Sequence, residues 1–219
     1  MRVISTNTGG PKEYEFKGTT VMTSMRRSSQ PEGISVTFDR VLGDKFAVEK
    51  AHGLREAVVY AYSAAAFDGL ARIYTQPVEA GNVGENLTID TLDESKFMIG
   101  DEYEVGTTRL RVSGPRYPCN RLNFCFQRDN ALELFAAYRR PGVYFEVVRE
   151  GFVRGGDELK LVQSRGGDLS VLQLFDHLKA LKDLAAGRLS QDQVFSIIED
   201  VTANALVPEM YRARFRKFL

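Results

Sequence analysis

The sequence predicts an α+β protein, mainly β, with a barrel or sandwich over residues 1–165 and a small three-helix unit over residues 168–219. Residues 1–165 break into short β-branched or alternating segments cut by Gly, Pro and Asp. That pattern belongs to closed or face-packed sheets rather than to a doubly wound one. Beyond Gly166-Gly167 the period changes to that of helices, and two capping boxes follow in succession.

Strands are expected at residues 3–5, 19–25, 34–38, 87–89, 102–105, 107–113, 143–148 and 158–162. Gly100-Asp101 and Gly106 suit the turns between them. Two helices are expected inside this region. One covers residues 56–70, where Val59, Tyr62, Ala66 and Leu70 fall near helical spacing. The other starts from Asp129 as cap and runs to Tyr138, burying Leu132, Leu134 and Phe135. Arg139-Arg140-Pro141-Gly142 ends it, because the residue before a proline avoids helix.

In the tail, Ser170-x-x-Gln173 opens a helix with Val171, Leu174, Phe175, Leu178 and Leu181 on one face and Gly187 as stop. Ser190-x-x-Gln193 opens a second, and Pro208 a third carrying Tyr211, Phe215 and Phe218. About fifty residues make a thin core, so this unit is expected to pack on the β body or on another subunit. A homodimer is compatible with its apolar surplus. Arg212, Arg214, Arg216 and Lys217 read as a solvated basic face.

Hydrophobic residues are 43% of the 219 and aromatics 11%, enough for a packed core and too many for disorder. Lys+Arg and Asp+Glu balance at 29 each, which argues against a general nucleic-acid partner. The N-terminus has no apolar signal core and no 18-residue apolar run exists, so a soluble, cytoplasmic protein without a membrane partner is expected. Cys119 and Cys125 are the two cysteines, too close in sequence for an unstrained bridge, and both read as reduced thiols. Walker A, GxGxxG and paired CxxC motifs are absent.

Chemistry is sought first in Gly114-Pro115-Arg116-Tyr117-Pro118-Cys119-Asn120-Arg121-Leu122. A thiol acts as nucleophile or metal ligand only as the thiolate, which neighbouring arginine favours. Two prolines stiffen the backbone around it. The alternative is that Cys119 is a small core residue, as Cys125 in its apolar run is taken to be. Three further stretches stand beside it. His52-Gly53 precedes the first expected helix and is either ligand-facing or simply packed. Gly81-Asn82-Val83-Gly84-Glu85-Asn86 exposes backbone N–H groups, or is a plain turn. Thr23-Ser24-Met25-Arg26-Arg27 could present hydroxyls and guanidinium groups to a phosphate, or be a solvated loop.

Taken in order, Leu42-Gly43-Asp44, His52-Gly53, Tyr60-Ala61-Tyr62, Gly84-Glu85-Asn86-Leu87-Thr88, Gly100-Asp101, the Cys119 stretch and Glu150-Gly151-Phe152-Val153-Arg154-Gly155-Gly156-Asp157-Glu158-Leu159 resemble the MOSC domain, over essentially residues 1–165. With the tail, the whole chain resembles the stand-alone bacterial branch that carries a three-helix appendage. The resemblance implies a β-barrel body that binds molybdenum cofactor (molybdopterin), a pterin phosphate with a dithiolene-held metal. It implies Cys119 as the metal ligand, and Arg116, Arg121 and Arg27 around the cofactor's charge. Ser24 and Thr23 join them, while Asn86 and His52 line the pocket. His52 is the candidate proton donor, since a free imidazole titrates near neutrality. The implied activity is reduction of N-hydroxylated compounds, such as hydroxylaminopurine bases, to amines, with electrons from a donor that sequence does not identify.

Four positions depart from the family pattern: Leu54, Ala57 and Glu146 stand where the pattern has a glycine, a lysine and an arginine, and Glu56 where it has an aspartate. Arg26, Arg55 or Arg139 would compensate for the lost charge. Two other functions are compatible with the same residues. One is a non-catalytic carrier of the cofactor or its sulfur. The other is a cysteine hydrolase or transferase using Cys119 and His52, which would need an orienting group and an oxyanion site.

Overall fold

The structure, a computed structural model, describes residues 1–45 and 55–219. The chain begins with strand β1 (Val3–Thr8), the hairpin of β2 (Lys12–Phe16) and β3 (Thr19–Thr23), and two short strands, β4 (Ser28–Ser29) and β5 (Ile34–Val36). Strand β6 (Val59–Ser63) leads into helix α1 (Phe67–Tyr74), then come β7 (Leu87–Ile89), β8 (Glu102–Val105) and β9 (Thr108–Gly114). Helices α2 (Arg121–Cys125) and α3 (Ala131–Tyr138) precede β10 (Val143–Arg149), β11 (Gly151–Val153) and β12 (Lys160–Gln163). The tail is α4 (Val171–Ala185), α5 (Gln191–Ala203) and α6 (Glu209–Phe215).

Eight strands join in one sheet in the order β12-β8-β9-β10-β6-β7-β1-β4, antiparallel except where β6 runs parallel to β7. β11 pairs with β5, and β2 with β3, in two-stranded ladders. The large sheet curls rather than closing through an unbroken ladder. Its seam is made before β12: Val3 donates its amide to the Asp157 carbonyl, and Leu159 to the Met1 carbonyl, both at 2.9 Å. The fold is therefore the expected mixed α+β type, and the barrel is incomplete.

Residues 56–70 are not one helix. Arg55–Ala57 form a single 3-10 turn, Val59–Ser63 form β6, and α1 starts only at Phe67. The misreading has a physical cause. Val59 and Ala61 point into one core cluster and Tyr60 and Tyr62 into another, so every residue of β6 is buried. A strand covered on both faces shows no alternation, and its apolar run can pass for a helix. In α3 the residue at the cap position is Asn130, without a side-chain cap bond, and Asp129 lies outside in a surface pair with Lys17. Phe135 is buried there, while Leu132 and Leu134 are only half-buried. The hairpin strand β2 was not anticipated; its Lys-Glu-Tyr-Glu-Phe sequence is largely exposed.

The tail helices follow their local signals. Ser170 and Gln173 form a reciprocal capping box, as do Ser190 and Gln193. Leu174, Leu178 and Leu181 of α4, Val194 and Ile198 of α5, and Tyr211 and Phe215 of α6 share a continuous core with the sheet residues Val59, Val112 and Phe145. The second core lies across the sheet, where α1, α2 and α3 cover Tyr60 and Tyr62.

Candidate functional site

Three loops far apart in sequence meet at the second core. They are the segment after β3 that contains Ser24 to Arg27, the Gly81–Asn86 turn before β7, and the loop from β9 to α2. Gly84, with φ of +86°, is what allows the close approach. A Cβ there would lie 3.0 Å from the Met25 carbonyl oxygen and 3.3 Å from Arg116 Nη1. A side chain there would be strained by the positive φ and would press on both neighbours.

Arg116 is the centre of this meeting. It is 8% exposed, its Nη1 donates to the Val83 carbonyl, and its guanidinium lies 5.2 Å above the Tyr60 ring. Among the described residues it has no carboxylate partner. A buried guanidinium without a counter-charge is expensive, and stacking on an aromatic face offsets part of the cost. Burial alone would lower its pKa, but the Tyr60 and Tyr144 phenols and the Cys119 thiol beside it push it upward. The group stays cationic.

Arg26 approaches the same region from the opposite loop. Its Nη2 donates to the Cys125 carbonyl at 2.6 Å, and its guanidinium lies 5.4 Å from the Phe126 ring. Its Nε and the Ser24 Oγ are buried with no hydrogen-bond partner among the described residues. Thr23 Oγ accepts from the Met25 amide at 3.2 Å. The two thiols differ in surroundings. Cys119 is half-buried at the edge of the cluster; Cys125 is buried, and that burial pushes its thiol up to about 11 against the pull of Arg26 and Arg116. Arg121 opens α2 on the same loop, partly exposed, beside Asn120.

Two of the expected site residues, Arg27 and Asn86, take part in a buried network. Arg27 donates from Nε and Nη2 to the two Asp44 carboxylate oxygens at 3.0 and 2.6 Å. Asn86 Nδ2 donates to Asp44 Oδ2 at 2.7 Å and its Oδ1 accepts from the Tyr60 amide at 3.1 Å. Asp44 is therefore the hub that locks both loops, a role that only three-dimensional contact makes visible. Glu85 does similar work inside the turn, accepting from the Gly81 and Val83 amides and the Thr88 hydroxyl. Burial pushes its carboxyl upward despite these donors. His52 and Leu54 lie outside the described residues.

The departures and their suggested compensations separate cleanly. Glu146, on β10, accepts from Arg111 Nη1 at 3.1 Å and faces a cleft of about 280 Å³ shared with Phe38 and Arg55. Ala57 falls in the 3-10 turn. Arg55 pairs with Asp39 at the surface, and Arg139 makes a two-pronged pair with Asp176 of α4. Of the three candidate replacements only Arg26 shares with Arg116 a neighbour in this cluster, the Cys125 thiol.

Fold and site together define an α+β protein that presents a half-buried thiol, Cys119, beside a buried guanidinium, Arg116, which is itself flanked by the Tyr60 and Tyr144 phenols. The chain belongs to the MOSC domain family, whose model matches residues 48–160. It is 27% identical over 217 residues to the uncharacterised protein YflK of Bacillus subtilis, covering 98% of this chain and 93% of that one. It is 33% identical over 138 residues to a protein named reductase from Gibberella moniliformis, covering 61% of this chain but only 24% of that longer one. The crystal structure of YiiM from Geobacillus stearothermophilus superposes with a TM-score of 0.77 at 25% identity, covering all of this chain and 98% of that one. No helix among the described residues is long and apolar enough to cross a membrane.

Proposed function

We propose that this chain is an oxidoreductase that uses molybdenum cofactor to reduce N-hydroxylated compounds, of the hydroxylaminopurine type, to amines. MOSC domains are associated with molybdenum cofactor binding, and the reductase name of one relative favours an enzyme. The observation that carries the reading is the buried Arg116, without a carboxylate partner among the described residues, beside a half-buried Cys119. The residues fit an anionic, metal-bearing ligand: a thiol for a soft-leaning metal, a resident cation, and two buried polar atoms, Ser24 Oγ and Arg26 Nε, in need of partners.

In this reading Cys119 is the metal ligand, Arg116 and Arg26 hold the ligand's negative charge, and Ser24 and Thr23 supply hydroxyls. Arg121 adds charge at the rim. Arg27 and Asn86 act through Asp44, keeping the two loops in register. When bound, the cofactor supplies two electrons to the N–O bond, drawn from an external donor. The balance is one hydroxylamine, two electrons and two protons giving one amine and one water. A proton donor on the protein assists departure of the oxygen as water, and we assign that task to His52 on residue type.

Metal and pterin analysis of protein from cells that make the cofactor, compared with Cys119→Ser, tests the reading. Molybdenum is expected in the native protein and lost in the variant; native protein free of molybdenum would sink the proposal. A reductant-driven assay on hydroxylaminopurine then separates an enzyme from a carrier. His52→Gln should reduce turnover by about a hundredfold or more while sparing cofactor content, the lower end for a removed general acid.

A further inference from the structure

The loop that carries Cys119 is gripped from beneath by the tail. Tyr211 of α6 is 1% exposed, and its Oη donates to the Pro115 carbonyl at 2.7 Å. Its ring fills the space where Gly114 lacks a side chain, so that a Cβ at 114 would lie 2.5 Å from the ring. Two residues on, the Tyr117 ring packs on Phe175 of α4 at 5.7 Å between centroids. The last turn of β9 and the stiff Pro115–Pro118 segment therefore rest on two tail helices. α6 is also tied to the turn before β6, where Glu56 accepts the Met210 amide at 3.4 Å.

We infer that the three-helix tail is a brace for the thiol loop, and that Tyr211 is the positioning residue that fixes Arg116 and Cys119 through its bond to Pro115. Nothing else among the described residues donates to that carbonyl. The bond requires a protonated phenol, and burial keeps the Tyr211 hydroxyl protonated well above the ordinary tyrosine range. The consequence rests on the proposed role of Cys119, but its physical content does not: with the bond removed, the loop from Gly114 to Cys119 gains freedom while the ring-filled core remains.

The test uses the full-length protein and Tyr211→Phe, which keeps the ring and deletes only the donor. The rate of Cys119 alkylation by iodoacetamide is measured against a Cys125→Ser background, with and without Tyr211→Phe. Amide exchange over residues 114–121 is followed in parallel, with β9 and β10 as internal reference. A change of threefold or more in alkylation rate, with faster exchange confined to 114–121, is expected. An alkylation rate within 1.5-fold of the parent, or exchange that accelerates equally in β9 and β10, overturns the inference and leaves Tyr211 a core residue. If the phenylalanine variant is too unstable to compare, Phe175→Leu loosens the second contact and is read by the same two measurements against the same criteria. Neither measurement involves the cofactor. Cofactor-free native protein therefore overturns the oxidoreductase reading without touching this one.

Discussion

At the scale of single residues, the site is a problem of charge kept out of water. Arg116 is enclosed with a carbonyl and a phenol ring for company, and among the described residues no carboxylate neutralises it. A charge-assisted hydrogen bond is worth about 1.5–3 kcal/mol. On the proposed function, Arg116→Gln should therefore weaken retention of the anionic cofactor by roughly tenfold to a hundredfold. Folding should suffer less, since the variant also removes a desolvated charge. Cofactor content per folded molecule, set beside thermal midpoint, checks this; an unchanged content with a lowered midpoint would make Arg116 purely structural. The motif Gly114 to Leu122 made Cys119 and Arg116 conspicuous, because proline, arginine and cysteine in one short segment are unusual chemistry. The commitment of Arg27 and Asn86 to Asp44 was not conspicuous. Partners 17 and 42 residues distant leave no mark in local composition.

At the scale of elements, local signals were legible and long-range burial was not. The Ser170 and Ser190 boxes announce α4 and α5 because both halves of each box lie within four residues. β6 misleads because its burial is decided by two separate cores. The outer side of β8 to β10 shows a different use of charge. Glu102 is buried beneath Arg109, Arg111 and Arg165, at 2.7, 2.9 and 2.8 Å. Burial alone would raise its carboxyl, but hydrogen bonds from Arg165 and Arg111 and their charge outweigh it, and the net shift is below the ordinary 4.5. A depressed folded value means the stabilisation is present above that unfolded value and is lost as pH falls through the lower folded one. Denaturation of native protein and Glu102→Gln at about pH 7 and about pH 3 should show the variant weaker at the higher pH, with the gap narrowing in acid. A gap that widens in acid would refute this account.

At the scale of the whole molecule, the tail is continuous with the body rather than appended to it. The same core contains Phe145 of the sheet, Leu178 of α4 and Phe215 of α6. Residues 1–165 expressed alone would expose the apolar face that α4 and α6 cover, a patch of the kind that drives association. Size-exclusion chromatography should find that fragment self-associated, and a stable monomer would show the body to be self-sufficient. The composition shift after Gly167 was enough to locate the helices but carried no information on what they cover. The seam between Met1–Val3 and residues 156–159 adds a constraint in time. During synthesis the Met1–Val3 end of β1 must wait for these partners until some 155 further residues have left the ribosome, although β4 and β7 pair the strand earlier. The apolar face waits longer still, for the last fifty. Native contacts of such separation close slowly, and the Tyr211–Pro115 bond beneath the Cys119 loop forms only after α6 is made.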